Sequence, residues 1–101
     1  MDFQVIWTRE ASEDFDSIIR YIARDSQYSA KSVAQKIWAV SESLAEFPLI
    51  GRMVPEIEKR HIRERLIYSY RLVYRIQSGK IFILAVIHGK RLLENILDRF
   101  E

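Results

Sequence analysis

The chain has 101 residues, nearly half of them hydrophobic, with few glycines and prolines and no cysteine. That predicts one compact unit over residues 1–101 with a single core, and it excludes a disordered tail, disulfides and thiolate metal sites. Formal charge is only +2, but residues 1–50 sum to −3 and residues 51–101 to +5, so the second half can meet a polyanion or an acidic protein.

No apolar run is long enough to cross a bilayer, and the opening MDFQVIWTRE lacks the basic-then-apolar plan of a signal peptide. The expectation is a cytoplasmic protein without a membrane partner. Phe3, Val5 and Trp7 alternate with polar or smaller neighbours and read as a short strand. Thr8 is placed to cap a helix whose first turns carry Glu10, Glu13 and Asp14. Ala11, Phe15, Ile18, Ile19 and Ile22 recur at helical spacing along it. A break near Asp25-Ser26-Gln27 precedes a second helix from about Ser29, with a stripe of Val33, Ile37, Val40, Leu44 and Phe47. Two amphipathic helices with so short a link predict a helical hairpin.

Pro48 ends the second helix and Gly51 permits a sharp turn. The stretch MVPEIEKRH reads as an ordered loop, and Ile62 to Tyr68 as a strand. Tyr70 to His88 then forms a hairpin turning at Ser78-Gly79. Leu92, Leu93, Ile96, Leu97 and Phe100 predict a terminal helix. The fold class is α+β: a helical hairpin on one face of a small twisted antiparallel sheet, in the order β-α-α-β-β-β with a short C-terminal helix.

The second hairpin strand, Ile81 to His88, is apolar almost throughout, so both of its faces need cover. A two-residue turn sets Ile76 opposite Ile81, Arg75 opposite Phe82 and Arg71 opposite Val86. One face then carries Tyr70, Leu72, Tyr74, Ile76, Ile81, Ile83, Ala85 and Ile87, enough to take the helices. The other carries Arg71, Val73, Arg75, Phe82, Leu84, Val86 and His88, apolar residues around cations. A one-residue slip exchanges the faces of one strand. An open patch of this kind marks an interaction site, unless the terminal helix folds back over it.

The ordered set YIA, FPLIGR, VPE, IRERLI, YRLVYRI and VIHGKR resembles the RelE/ParE toxins of bacterial type II toxin–antitoxin modules, and more the ParE branch. The resemblance covers nearly the whole chain. It implies a cytoplasmic toxin neutralised by a cognate antitoxin, whose flexible segment covers Arg71, Val73, Arg75, Phe82, Leu84 and Val86. It also implies either a DNA gyrase poison, with Arg63, Arg65, His88 and Arg91 meeting the target, or a ribosome-dependent endoribonuclease that cuts messenger RNA. A non-toxic binding module of the same fold is the third reading.

RNA cleavage needs an acid, a base and cations at the phosphorus centre, and Arg71, Arg75 and His88 are the candidates. The bland alternative pairs Arg71 and Arg75 with Glu64 or an acidic antitoxin. In several RNA-cleaving relatives an aromatic closes the last strand; here the closing residues are His88-Gly89-Lys90-Arg91, which favours the gyrase reading. No cofactor, metal or small-molecule substrate is expected, since phosphate-loop and metal-ligand motifs are missing.

Overall fold

The computed structural model describes residues 2–89, 91 and 93–100. Strand β1 (Gln4–Trp7) leads into helices α1 (Arg9–Ala23) and α2 (Gln27–Ser43). Strands β2 (Arg52–Met53), β3 (Ile62–Ile67), β4 (Tyr70–Gln77) and β5 (Lys80–His88) follow, and a 3-10 segment spans Leu93–Phe100. Thr8 starts α1 as expected: its hydroxyl accepts from the Ala11 N–H and donates to the Ile83 carbonyl, tying helix to sheet. Ser26 caps α2 through the Ser29 N–H, so that helix begins slightly earlier than its apolar stripe.

The sheet runs β1-β5-β4-β3-β2. Its fold class is the expected one, with two additions. The sheet is mixed, because β1 lies parallel to β5 while the other pairs are antiparallel. The stretch expected as loop also contributes β2, a two-residue edge strand on β3.

The β4–β5 turn forms at Ser78-Gly79, both with positive φ (51° and 73°), the mirror-image turn that suits strand twist. Ile76 faces Ile81 and Arg75 faces Phe82, as expected. Beyond Tyr74–Ile83 the register slips, and Val73 faces Ala85. Leu84 is left unopposed in a β-bulge, so Leu84 and Ala85 enter the same core. The expected faces are therefore exchanged past this point: Ala85 and Ile87 leave the helix side, Val86 joins it, and Arg71 faces Ile87 in place of Val86.

Two cores result. Under the helices lie Ile37, Val40, Leu44, Leu72, Tyr74, Ile83 and Val86, with Trp7 and Phe15 packed edge to face beside them. On the other face, Val54, Ile62, Val73, Leu84 and Ile87 meet Leu93, Ile96 and Phe100 of the terminal segment. The expected terminal helix is present as a 3-10 segment, kinked at Ile96 (φ −136°). Leu97 is half-exposed, and Leu92, also expected in this stripe, lies outside the described residues. Phe47 is a second correction: α2 stops at Ser43, and the turn after it carries Phe47 into solvent.

Gly51 is required by contact. A Cβ there would sit 2.6 Å from the Tyr74 hydroxyl and 2.7 Å from the Glu64 carbonyl oxygen. The buried Tyr74 hydroxyl accepts from the Gly51 N–H and donates to the Pro48 carbonyl, fastening the FPLIG turn to the sheet.

Leu44→Ala should lower unfolding free energy by about 2–5 kcal/mol, because Leu44 is fully buried; a cost near zero in denaturant melts would refute this packing. Leu84→Glu should destabilise the chain when expressed alone, since the terminal segment already covers Leu84.

Candidate functional site

The candidate cations Arg63, Arg65, Arg71, Arg75, His88 and Arg91 do not gather in one place. At the end of the sheet nearest Gly89, the Glu64 side chain is fully buried and accepts from Arg52 Nε (2.6 Å) and Arg71 Nε (2.7 Å). The Arg71 guanidinium, itself buried, also donates to both oxygens of Glu56, at 2.8 and 2.9 Å. Four charges from β2, β3, β4 and the loop thus neutralise one another. The Arg71 hydrogen bonds hold the Glu56 carboxyl below the usual carboxylate range, and Glu56 in turn keeps Arg71 firmly charged. The bland expectation for Arg71 is the one realised. Arg75 lies on the same face further along β4, opposite Phe82.

His88 is elsewhere. The bulge turns it away from Arg71 and places it opposite Tyr70, ring centroids 5.7 Å apart and edge to face. The expected sharing of one face by Arg71, Arg75 and His88 is therefore corrected. His88 and Tyr70 line a hollow of about 390 Å³ together with Asp14, Ser17, Tyr21 and Arg91. One wall is fixed by an unusual edge. Strand β1 ends at Trp7, so on that side β5 has no strand beside it past Ile83 among the described residues. Asp14 accepts from the Val86 N–H there and pairs with Arg99 of the terminal segment at 2.7 Å, while Arg99 also donates to the Leu84 carbonyl.

Arg63 and Arg65 are on β3, away from this hollow. Arg63 donates to the carbonyls of Arg60, Gly51 and Leu49, which fixes its fork beside the FPLIG turn. Of the four residues expected to meet a target, His88 and Arg91 share this hollow, whereas Arg63 and Arg65 stand two apart on β3. Lys90 of the closing HGKR lies outside the described residues. Val73, Leu84 and Val86, expected on an open patch, are buried and Phe82 is half-buried; Val86 is on the helix side altogether. Asp14, Tyr70 and Glu56 are site residues that the sequence did not single out. Tyr70's alternation in β4 is the available signal, whereas Asp14 reads as ordinary first-turn acidity. Among the described residues no His, Cys, Asp and Glu group is arranged to hold a metal ion, and no helix is long and apolar enough to cross a membrane.

This fold and these residues match known proteins. Residues 5–93 fit the model of the ParE toxin of the type II toxin–antitoxin system parDE. Toxin RelE2 of Caulobacter vibrioides is 31% identical over 90 residues, 88% of this chain and 98% of that protein. The chain belongs to the ParE family of type II toxins, within the RelE/ParE superfamily. Among solved structures, the chromosomal ParDE system of P. aeruginosa superposes with a TM-score of 0.70 at 22% identity, covering 85% of this chain and 95% of that one. The YoeB dimer of Staphylococcus aureus gives 0.61 at 18% identity, with 87% and 98% covered. The RelBE2 toxin–antitoxin complex of Mycobacterium tuberculosis gives 0.56 at 21% identity, with 87% and 99% covered.

Arg71→Ala should cost roughly 3–5 kcal/mol, because it leaves the buried Glu64 carboxylate leaning on the exposed Arg52 and breaks both Glu56 bonds; a loss under about 1 kcal/mol in equilibrium unfolding would contradict the network. Because the folded Glu56 carboxyl titrates below its ordinary value of 4.5, its stabilisation is complete above that pH and fades as pH falls through the folded value. Glu56→Gln should therefore be less stable than the native chain near neutrality, with the gap closing in acid.

Proposed function

We infer that this toxin stops growth by poisoning DNA gyrase and is held inactive by a cognate antitoxin in the same cytoplasm. One observation carries the preference for gyrase over messenger RNA: the cleavage set is not assembled. Arg71 is engaged by Glu64 and Glu56, and the bulge sends His88 to the opposite face of the sheet. A phosphoryl-transfer site needs its cations and its proton carriers around one phosphorus. The hollow of His88, Tyr70, Tyr21 and Arg91 is instead a partly apolar, accessible recess suited to a protein contact, and it is the proposed target surface.

Antitoxin docking on Val73, Phe82 and Leu84 requires the Leu93–Phe100 segment to give way, because it packs on those residues. The antitoxin then inherits both the apolar anchors and the positive border of Arg75.

Expressed without its antitoxin, the protein should cause filamentation, and purified protein should block supercoiling by gyrase; His88→Ala combined with Arg91→Ala should remove both effects without unfolding the chain. Codon-specific cuts in messages on isolated ribosomes, with gyrase unaffected, would overturn the reading. Added antitoxin should raise amide exchange in residues 93–100 if it displaces that segment, and leave it unchanged or slower if it binds outside.

A further inference from the structure

The distribution of positive charge points to one further surface. The ion pairs of the described residues take up Arg9, Arg20, Arg52, Arg71 and Arg99. Lys59, Arg60 and Arg63 take part in none of these, and they are gathered at the end of the sheet opposite His88, where β3 begins and β4 ends. Two adjoining hollows share His61 and Ile76 there. One, of about 450 Å³, is flanked by Arg60 and Arg63; the other, of about 530 Å³, by Lys59 and Arg75. The cations Arg63, Arg60 and Lys59 therefore run as a strip past His61. Among the described residues no carboxylate lines either hollow.

We propose that this strip binds the phosphodiester backbone of nucleic acid. Phosphates are recognised by cations that stay charged and are not neutralised within the protein, because each contact releases a counterion from the polyanion. Arg63 is held ready for such a contact. Three backbone carbonyls fix its position, and a carbonyl, unlike a carboxylate, leaves the net charge in place. Lys59 and Arg60 are exposed in the irregular stretch that follows Glu58 (φ 56°), so they can follow a backbone without disturbing the core. Glu58 is the one carboxylate between Ile57 and Arg63 and leaves the stretch positive. An acidic protein is the other polyanion, but a row of cations along shallow hollows offers it little beyond charge. This surface is distinct from the His88 recess and does not depend on which target that recess meets.

The test measures binding of a short fluorescein-labelled DNA duplex, an RNA hairpin and a polyglutamate peptide to the full chain across a salt series. The native chain should bind the nucleic acids with a log–log salt slope of several units, and Lys59→Glu with Arg60→Glu should weaken binding more than about tenfold and reduce that slope by roughly two. A tighter DNA arm or a tighter RNA arm identifies the natural source of the backbone. The same charge change at Lys31→Glu with Lys36→Glu, on α2, should alter binding by less than about threefold. Equal losses in the two double variants, tighter binding of polyglutamate, or no nucleic-acid binding at low salt would overturn the proposal. Circular dichroism verifies that both variants fold. Gyrase inhibition is scored separately, so a failure here leaves the target reading intact, and the reverse.

Discussion

One unopposed residue decides what every other part of this sheet can do. Leu84 inserts into β5 without a partner on β4, and side-chain alternation reverses from there to His88. Without the bulge, Val86 and His88 would stand on the face of Arg71, while Ala85 and Ile87 would crowd under the helices. With it, Leu84 and Ala85 enter the second core as neighbours, and Val86 completes the first. The same slip sets His88 and Arg71 on opposite faces of the sheet.

The second face survives because its charges are balanced where they are buried. Glu64 is stripped of water, and a lone carboxylate there would be costly. Arg52 and Arg71 supply the compensation from the strands on either side, and Glu56 closes the set from the loop. The network thus joins β2, the loop and β4 across β3. It also explains why β2 exists at all: Arg52 is anchored to Glu64, the residue it pairs with in register. The Tyr74 hydroxyl does for the other face what Glu64 does for this one, gripping the turn at Pro48 and Gly51.

Much of this is legible in the sequence, and what is not lies in features that no local pattern marks. Thr8, the helical stripe around Ile37 and Leu44, the Ser78-Gly79 turn and the first hairpin pairs are local signals, set by capping, period and turn geometry. The family motifs add the order of elements. The bulge leaves no mark, because Ile, Phe, Ile, Leu, Ala, Val, Ile at positions 81–87 is apolar in either register. Faces past Leu84 are consequently exchanged. Parallel pairing of β1 with β5 joins residues far apart in sequence, which no local pattern encodes. The apolar residues of the terminal segment do mark it as a cover for the mixed face, but its periodicity does not encode the kink at Ile96.

That terminal segment has a second consequence. It contributes Leu93, Ile96 and Phe100 to one core and Arg99 to the free edge of β5, so its apolar and ionic contacts are made or lost together. Asp14 holds the other end of the pair from α1 and also satisfies the Val86 N–H. An edge strand with unpaired backbone groups invites strand addition, and here side chains from both layers blunt it. Any partner that enters by this edge must replace the Val86 hydrogen bond, a carboxylate's ion pair and three buried side chains at once. A short disordered segment, which also loses chain entropy on ordering, matches that only by bringing its own apolar anchors and an acidic group for Arg99. The edge is thus selective by cost: it excludes casual strand pairing and admits a partner that reproduces the chemistry of the segment it displaces.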